Sequence, residues 1–176
     1  MVEATHRLAE EPHRPRRPGE LVGSHDGSSV RVAVVCSRFN EEITLRLLDG
    51  AYEALYRLEV TGDRRLVAWV PGAFELPVAA RLLAGSGRFD AVVCLGAVVR
   101  GETSHYELVA GECARGLQQV QVDTGVPVAF GVLTTENLAQ ALDRSGGSLG
   151  NKGEEAVVTA VETANVLAAL RRQAAR

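Results

Sequence analysis

AVVCLGAVVRGETSH, residues 91–105, begins as a strand and ends at the mouth of a helix. Residues 91–95 form an apolar, β-branched run with no polar alternation, the pattern of a parallel strand buried on both faces. Ser104-x-x-Glu107 has the spacing of a capping box and predicts a helix through about Val122. The same switch recurs on either side. Residues 30–36 read as a strand, and Asn40 is placed to cap a helix starting at Glu41–Glu42 whose apolar face carries Ile43, Leu47, Leu48, Ala51 and Leu55. Residues 66–70 read as a strand followed by a short helix over 74–83, where Pro77 is tolerable only near the first turn. Residues 126–133 read as the last strand. Thr134 or Thr135 is expected to cap a helix ending near Gly146–Gly147, and Asn151-x-x-Glu154 to open a final helix through Ala160, Ala164 and Leu167.

Strands alternating with helices imply a parallel sheet with right-handed crossovers and helices on both faces. The expected fold class is α/β: a three-layer α/β/α sandwich, flavodoxin-like, on a central four-stranded parallel sheet. Ligands in such sheets sit beyond the carboxyl ends of the strands, which directs attention to residues 37–40, 71–75, 96–104 and 133–135. Residues 1–29 show little apolar periodicity and most are expected to be mobile. We take 1–19 as a flexible extension and 20–176 as a single domain, with Leu21–Val22 able to add a strand to a sheet edge.

Bulk composition narrows the function classes. A chain of 176 residues with a net charge of −3 carries no general signature of a nucleic-acid or anionic-membrane partner. No apolar run is long enough to span a membrane, and the first residues lack the apolar core of a signal peptide. Cys36, Cys94 and Cys113 are far apart and form no CxxC pair, so neither a zinc site nor a disulfide framework is expected. Reduced thiols fit a cytoplasmic protein. Lys152 is the only lysine, which removes most candidates for Schiff-base chemistry. There is no GxGxxG opening a helix, no Walker A, no HExxH and no GxSxG.

Four histidines remain. His6, His13 and His25 lie in the loose N-terminal stretch, where solvent exposure is the simpler reading. His105 falls in the first turn of a helix after a strand end, where an imidazole suits proton transfer. An ordinary helix-start histidine fits the position too. The loop before it offers backbone N–H groups and the hydroxyls of Thr103 and Ser104, a phosphate-compatible arrangement at a helix N-terminus. An ordinary capped turn has the same appearance, and the carboxylate of Glu102 would have to point away from an anion. Arg144 and Lys152 flank a Gly-rich segment and suit phosphate, although Arg144 equally complements a helix dipole. Phe39, just past a strand end, is placed to stack on a planar heterocycle. Phe130 and Trp69 read as core, or for Trp69 as interface, and Cys94 as inert packing. Glu75, at a helix start, can accept hydrogen bonds from a polar ligand.

The strings GAFE (72–75), RGETSH (100–105), GVLTTEN (131–137) and GNKG (150–153), together with Phe39, Phe130 and Arg144, resemble the lumazine synthase family in order and spacing. The resemblance covers residues 19–170. It implies a transferase of riboflavin synthesis that joins 5-amino-6-(D-ribitylamino)uracil to 3,4-dihydroxy-2-butanone 4-phosphate, giving 6,7-dimethyl-8-ribityllumazine, phosphate and water without metal or organic cofactor. It further implies that Phe39 stacks on the pyrimidine, and that Ala73, Phe74 and Glu75 bind the pyrimidine and ribityl chain. Ala97, Val98 and Val99 contact the ring, Glu102 and Thr103 hold the phosphate, and His105 moves protons. Phe130 and Arg144 come from a neighbouring subunit, Arg144 on the phosphate, and Lys152 matches a second basic position. Many relatives carry lysine where Ser148 stands here, and small residues at the position of Glu102. The resemblance also implies a homo-oligomer built of pentamers. The insertion-free linker GGSLGNKG (146–153) is similar to that of members whose pentamers pack into sixty-subunit shells, and riboflavin synthase is a further partner. The competing readings are a lumazine- or flavin-binding or shell-forming protein without turnover, and an unrelated flavodoxin-like binding domain.

Overall fold

The computed structural model describes residues 17–176, so His6, His13 and most of the expected extension lie outside the described residues. The chain runs β1 (Val32–Ser37), α1 (Glu41–Arg57), β2 (Arg65–Val70), α2 (Leu76–Ala84), β3 (Ala91–Val99), α3 (His105–Thr124), β4 (Val128–Thr135) and α4 (Leu138–Arg144), with 3-10 turns at Gly62–Arg64 and Ala73–Glu75. A small hairpin, β5 (Ser145–Gly147) with β6 (Gly150–Asn151), leads into α5 (Lys152–Ala174). The main sheet is fully parallel in the order β2-β1-β3-β4. This is the expected three-layer α/β architecture. Helices α1, α4 and α5 cover one face through Leu47, Ala141 and Val157. Helices α2 and α3 cover the other through Leu76, Ala80 and Leu117.

Why the sheet forms here is visible in its two central strands. Every residue of VAVVCS in β1 is buried, and β3 is buried from Ala91 to Val98, so alternate side chains feed two separate cores. Full burial of each such side chain is worth about 1.5–3 kcal/mol. The same burial pushes the Cys36 thiol up to about 12 and Cys113 to about 11, which suits cysteine as inert packing.

β3 runs four residues past the expected end at 95, and this overhang shapes the functional end of the sheet. β1 stops pairing with β3 at Leu95, whereas β4 follows it to Val99↔Thr135. Ala97, Val98 and Val99 therefore have an edge not covered by β1. Asn40 occupies part of it, donating its side-chain N–H to the Ala97 carbonyl at 2.8 Å.

Several expected caps are not made, because stronger partners compete. Asn40 sits in the left-handed region (φ 60°) and makes no side-chain cap; its amide serves the tertiary contact with Ala97. Ser104 makes no side-chain cap either, its backbone lying at φ −67°, ψ 3° and not in the extended region usual for a cap, and the Glu107 carboxylate that would complete a capping box is drawn into an ion pair with Arg100. α4 is capped by Asn137, whose side-chain oxygen accepts from the Gln140 N–H at 3.0 Å, and not by Thr134 or Thr135. It ends at Arg144 because residues 145–147 enter the hairpin.

Residues 22–28 bear on two further expectations and correct the second. Leu21–Val22 pairs with no sheet edge of its own chain, and residues 23–25 are packed against α5. His25 is only 9% exposed, with Nε2 3.6 Å from Glu162 Oε2. Asn165 donates to the carbonyls of Ser24 (2.8 Å) and Asp26 (2.9 Å). Two glycines permit this docking: a Cβ on Gly23 would stand 2.3 Å from the Glu162 carbonyl oxygen, and one on Gly27 2.4 Å from that of Leu58.

Candidate active site

The carboxyl ends of the four strands are stitched together by backbone hydrogen bonds. Arg38 N–H donates to Val70 O at 2.9 Å and Phe39 N–H to Pro71 O at 3.0 Å, fixing the β1–α1 turn against the β2 exit. Arg100 N–H donates to Thr135 O at 2.8 Å, fixing the β3 exit against β4. One side of this rim is aromatic. Phe39 is 72% exposed and Phe74 60% exposed, although both are large apolar rings with a buried core beneath them. Such rings left in solvent at a strand end suit stacking on a flat ligand. Beneath the rim, Ala73 (6%) and Val98 (9%) are buried in the core under α2 and α3, and Ala97 (2%) in the core on the opposite face of the sheet, with Glu75 half-buried beside the turn.

The other side of the rim is polar. Residues 101–105 are all exposed, and the His105 N–H donates to Thr103 Oγ1 at 3.4 Å. Among the described residues, the N–H groups of Glu102, Thr103 and Ser104 donate to no protein acceptor. With α3 running twenty residues behind them, these N–H groups and the helix dipole favour an anion. His105, first residue of α3, directly follows this loop. Among the described residues, no group of three or more His, Cys, Asp or Glu side chains is placed to hold a metal ion.

Not every expected site residue joins this rim. Phe130 lies within β4 opposite Cys94, five positions before the strand end, and is 43% exposed rather than core, because β4 is an edge strand. Trp69 is exposed on the other edge strand, β2, which removes its core reading. Arg144 and Lys152 belong to the α1/α4/α5 layer, across the sheet from α3. The Arg144 guanidinium donates to Gln140 O at 3.2 Å, and Lys152 Nζ pairs with Glu155 at 2.7 Å. Ser148 Oγ donates to Asp143 Oδ1 at 3.1 Å.

Two polar features escape sequence reasoning. Arg100 is one: its side chain meets both Glu107 and Glu136 and stacks on Tyr106. An arginine at a strand exit with glutamate one helical turn into the next element is the available signal. The buried hydroxyls of Ser37 and Thr135 are the other; both strand-end oxygens lack a protein partner.

Comparison with known proteins gives the family. The sequence model of the family described as 6,7-dimethyl-8-ribityllumazine synthase matches residues 29–168, a span that takes in every element from β1 to most of α5. A 6,7-dimethyl-8-ribityllumazine synthase from Edwardsiella ictaluri (strain 93-146) is 57% identical over 142 residues, covering 80% of this chain and 91% of the relative. An aromatic rim, a phosphate-compatible loop ending in His105 and a match across both thus lead to one assignment: the chain belongs to the 6,7-dimethyl-8-ribityllumazine synthase family.

Proposed function

We propose that the chain condenses 5-amino-6-(D-ribitylamino)uracil with 3,4-dihydroxy-2-butanone 4-phosphate to form 6,7-dimethyl-8-ribityllumazine, phosphate and water, in riboflavin biosynthesis. The observation that carries this is the placement of the Glu102–Thr103–Ser104 N–H groups and His105 on the same sheet end as Phe39 and Phe74. Phe39 and Phe74, with Ala73, Glu75 and residues 97–99, take the pyrimidine and ribityl chain. Glu102 and Thr103 take the phosphate. The substrate amine attacks the ketone carbon and water leaves, giving an imine. His105 transfers protons as phosphate is eliminated, leaving an enol that tautomerises to a ketone; the second amine attacks that carbonyl carbon, and a second water leaves as the ring closes. Orientation of two bound substrates and proton transfer account for most of the protein's contribution.

The site is shared between copies of the chain. Arg144 and Phe130 lie away from the rim of their own subunit, and Val78 and Leu82 leave apolar surface exposed along α2 at helical spacing, as a subunit contact requires. Arg144 and Phe130 then complete a neighbour's pocket, with Lys152 as a second basic group. The assembly is a pentamer, and the short 146–153 linker supports packing of pentamers into a sixty-subunit shell. Riboflavin synthase, which consumes the product, is a partner. No helix among the described residues is long and apolar enough to cross a membrane, and the cytoplasm is the proposed compartment.

The test is to mix purified protein with both substrates and follow lumazine fluorescence, with light scattering on the same sample. Product from a pentamer or larger particle supports the reading. An inactive but folded assembly favours a binding or shell protein without turnover. A monomer contradicts the shared site.

A further inference from the structure

Loop 101–104 makes few bonds of its own. A Cβ on Gly101 would meet nothing within 4 Å, Ser104 makes no side-chain cap, and the two bonds at its helical end, His105 N–H to Thr103 Oγ1 and Leu108 N–H to Ser104 O, are both 3.4 Å long. Its two ends are held from outside, by one residue. The Arg100 side chain reaches the Glu107 carboxylate in the first turn of α3. Its Nε lies 2.7 Å from Glu136 Oε2, in the turn between β4 and α4. The guanidinium carbon stands 4.1 Å from the centre of the Tyr106 ring. Arg100 N–H adds the bond to Thr135 O at 2.8 Å. One side chain thus joins the start of the loop, the start of α3 and the β4–α4 turn.

We propose that Arg100 is a positioning residue that sets the orientation of the phosphate loop and of His105. The inference rests on the reading of 102–105 as the phosphate and proton-transfer segment. Direct anion binding is not its role, because two carboxylates already match its charge and occupy its fork. Hydrogen bonding from Arg100 holds the Glu107 carboxyl below the usual carboxylate range, so the tie is charged throughout the neutral range. Exposed ion pairs of this kind add little to folding stability. Their effect falls on geometry: N–H groups 102–104 favour the phosphate only when turned toward it, and small displacements of catalytic groups are costly.

The experiment compares wild type, Arg100→Ala, Arg100→Lys and Glu136→Gln in the full chain by steady-state kinetics, with each substrate varied in turn. Inorganic phosphate serves as a competing probe of the loop. Arg100→Ala is expected to raise KM for the butanone phosphate and the inhibition constant of phosphate by about tenfold, leaving KM for the ribitylaminouracil within about twofold. Arg100→Lys, which keeps the charge but cannot fork between two carboxylates, is expected to fall between wild type and alanine. Glu136→Gln is expected to show a smaller shift of the same kind, and carries the test if Arg100→Ala does not fold. Unchanged constants, or both KM values rising together, would overturn the proposal while leaving the enzyme assignment standing if wild type makes lumazine. Wild type without product would overturn the underlying reading and this proposal with it.

Discussion

The two segments proposed to meet the phosphate are built in opposite ways. Loop 101–104 is exposed, has open space around Gly101, and is held at its ends by the Arg100 side chain. The 145–153 segment is locked by close backbone approach. A Cβ on Gly147 would stand 2.7 Å from Asp143 Cα, and one on Gly153 only 2.0 Å from the Leu47 carbonyl oxygen. Gly146 (φ 100°) and Gly150 (φ 77°) hold conformations that glycine adopts without strain. Arg46 Nε donates to Ser145 O at 3.2 Å, and Asn151 returns a bond to Arg46 O at 2.8 Å. The loop proposed to serve its own subunit's site is tied by a side chain at its ends and has space around it. The segment proposed to present Arg144 and Lys152 to a neighbour is fixed mainly by close backbone approach, with the Arg46 and Asn151 side chains bonding to main chain. Substitutions in the second should therefore cost folding, and substitutions in the first should cost function.

Gly153→Ala breaks this contrast most severely if it is wrong. Its methyl group has only backbone to push against, so we expect a loss of about 3–5 kcal/mol in unfolding free energy, read from urea denaturation. A variant as stable as wild type would show that α5 can step away from α1. His105→Ala should leave the denaturation midpoint in place and lower turnover by about 100-fold or more; full turnover would remove the proton-transfer role. Asn151→Ala loses both the cap to the Gly153 N–H (2.9 Å) and the bond to Arg46 O, and should cost about 1–2 kcal/mol with KM for the butanone phosphate raised as Arg144 shifts. Stability loss without that KM change would separate the hairpin from the site. Gly101→Ala should change stability by no more than about 0.5 kcal/mol, since nothing stands where the methyl would go.

The three layers of this fold follow from features that are local in sequence, the alternation of apolar runs with helical patterns. The strand order does not, because all four runs read alike and only the structure separates the fully buried β1 and β3 from the edge strands β2 and β4. Long-range competition was not legible. Ser104 and Glu107 have capping-box spacing, but a charge-assisted pair with Arg100 takes the Glu107 carboxylate, and the Ser104 backbone is not in the conformation of a cap. His25 reads as a surface residue until Gly23 and Gly27 are seen to bring its segment onto α5 and Leu58. Phe130 reads as core because nothing local says that β4 is an edge. For the site, residue types and spacing point to a phosphate-compatible loop and one histidine. The pairing of Phe39 with Phe74 and the assignment of Arg144 to a partner subunit came from resemblance, since both depend on surfaces far apart along the chain.

The central claim is a lumazine-forming site divided between two copies of the chain, and complementation tests it most directly. His105→Ala and Arg144→Ala are each purified, then dissociated and reassembled together, and lumazine formation is followed by fluorescence. Each variant alone should be nearly inactive. Random mixing should restore about a quarter of the sites, those pairing an intact His105 loop with a neighbour's intact Arg144. A co-assembled mixture as inactive as its parents, beside an active wild type treated identically, would contradict the shared site.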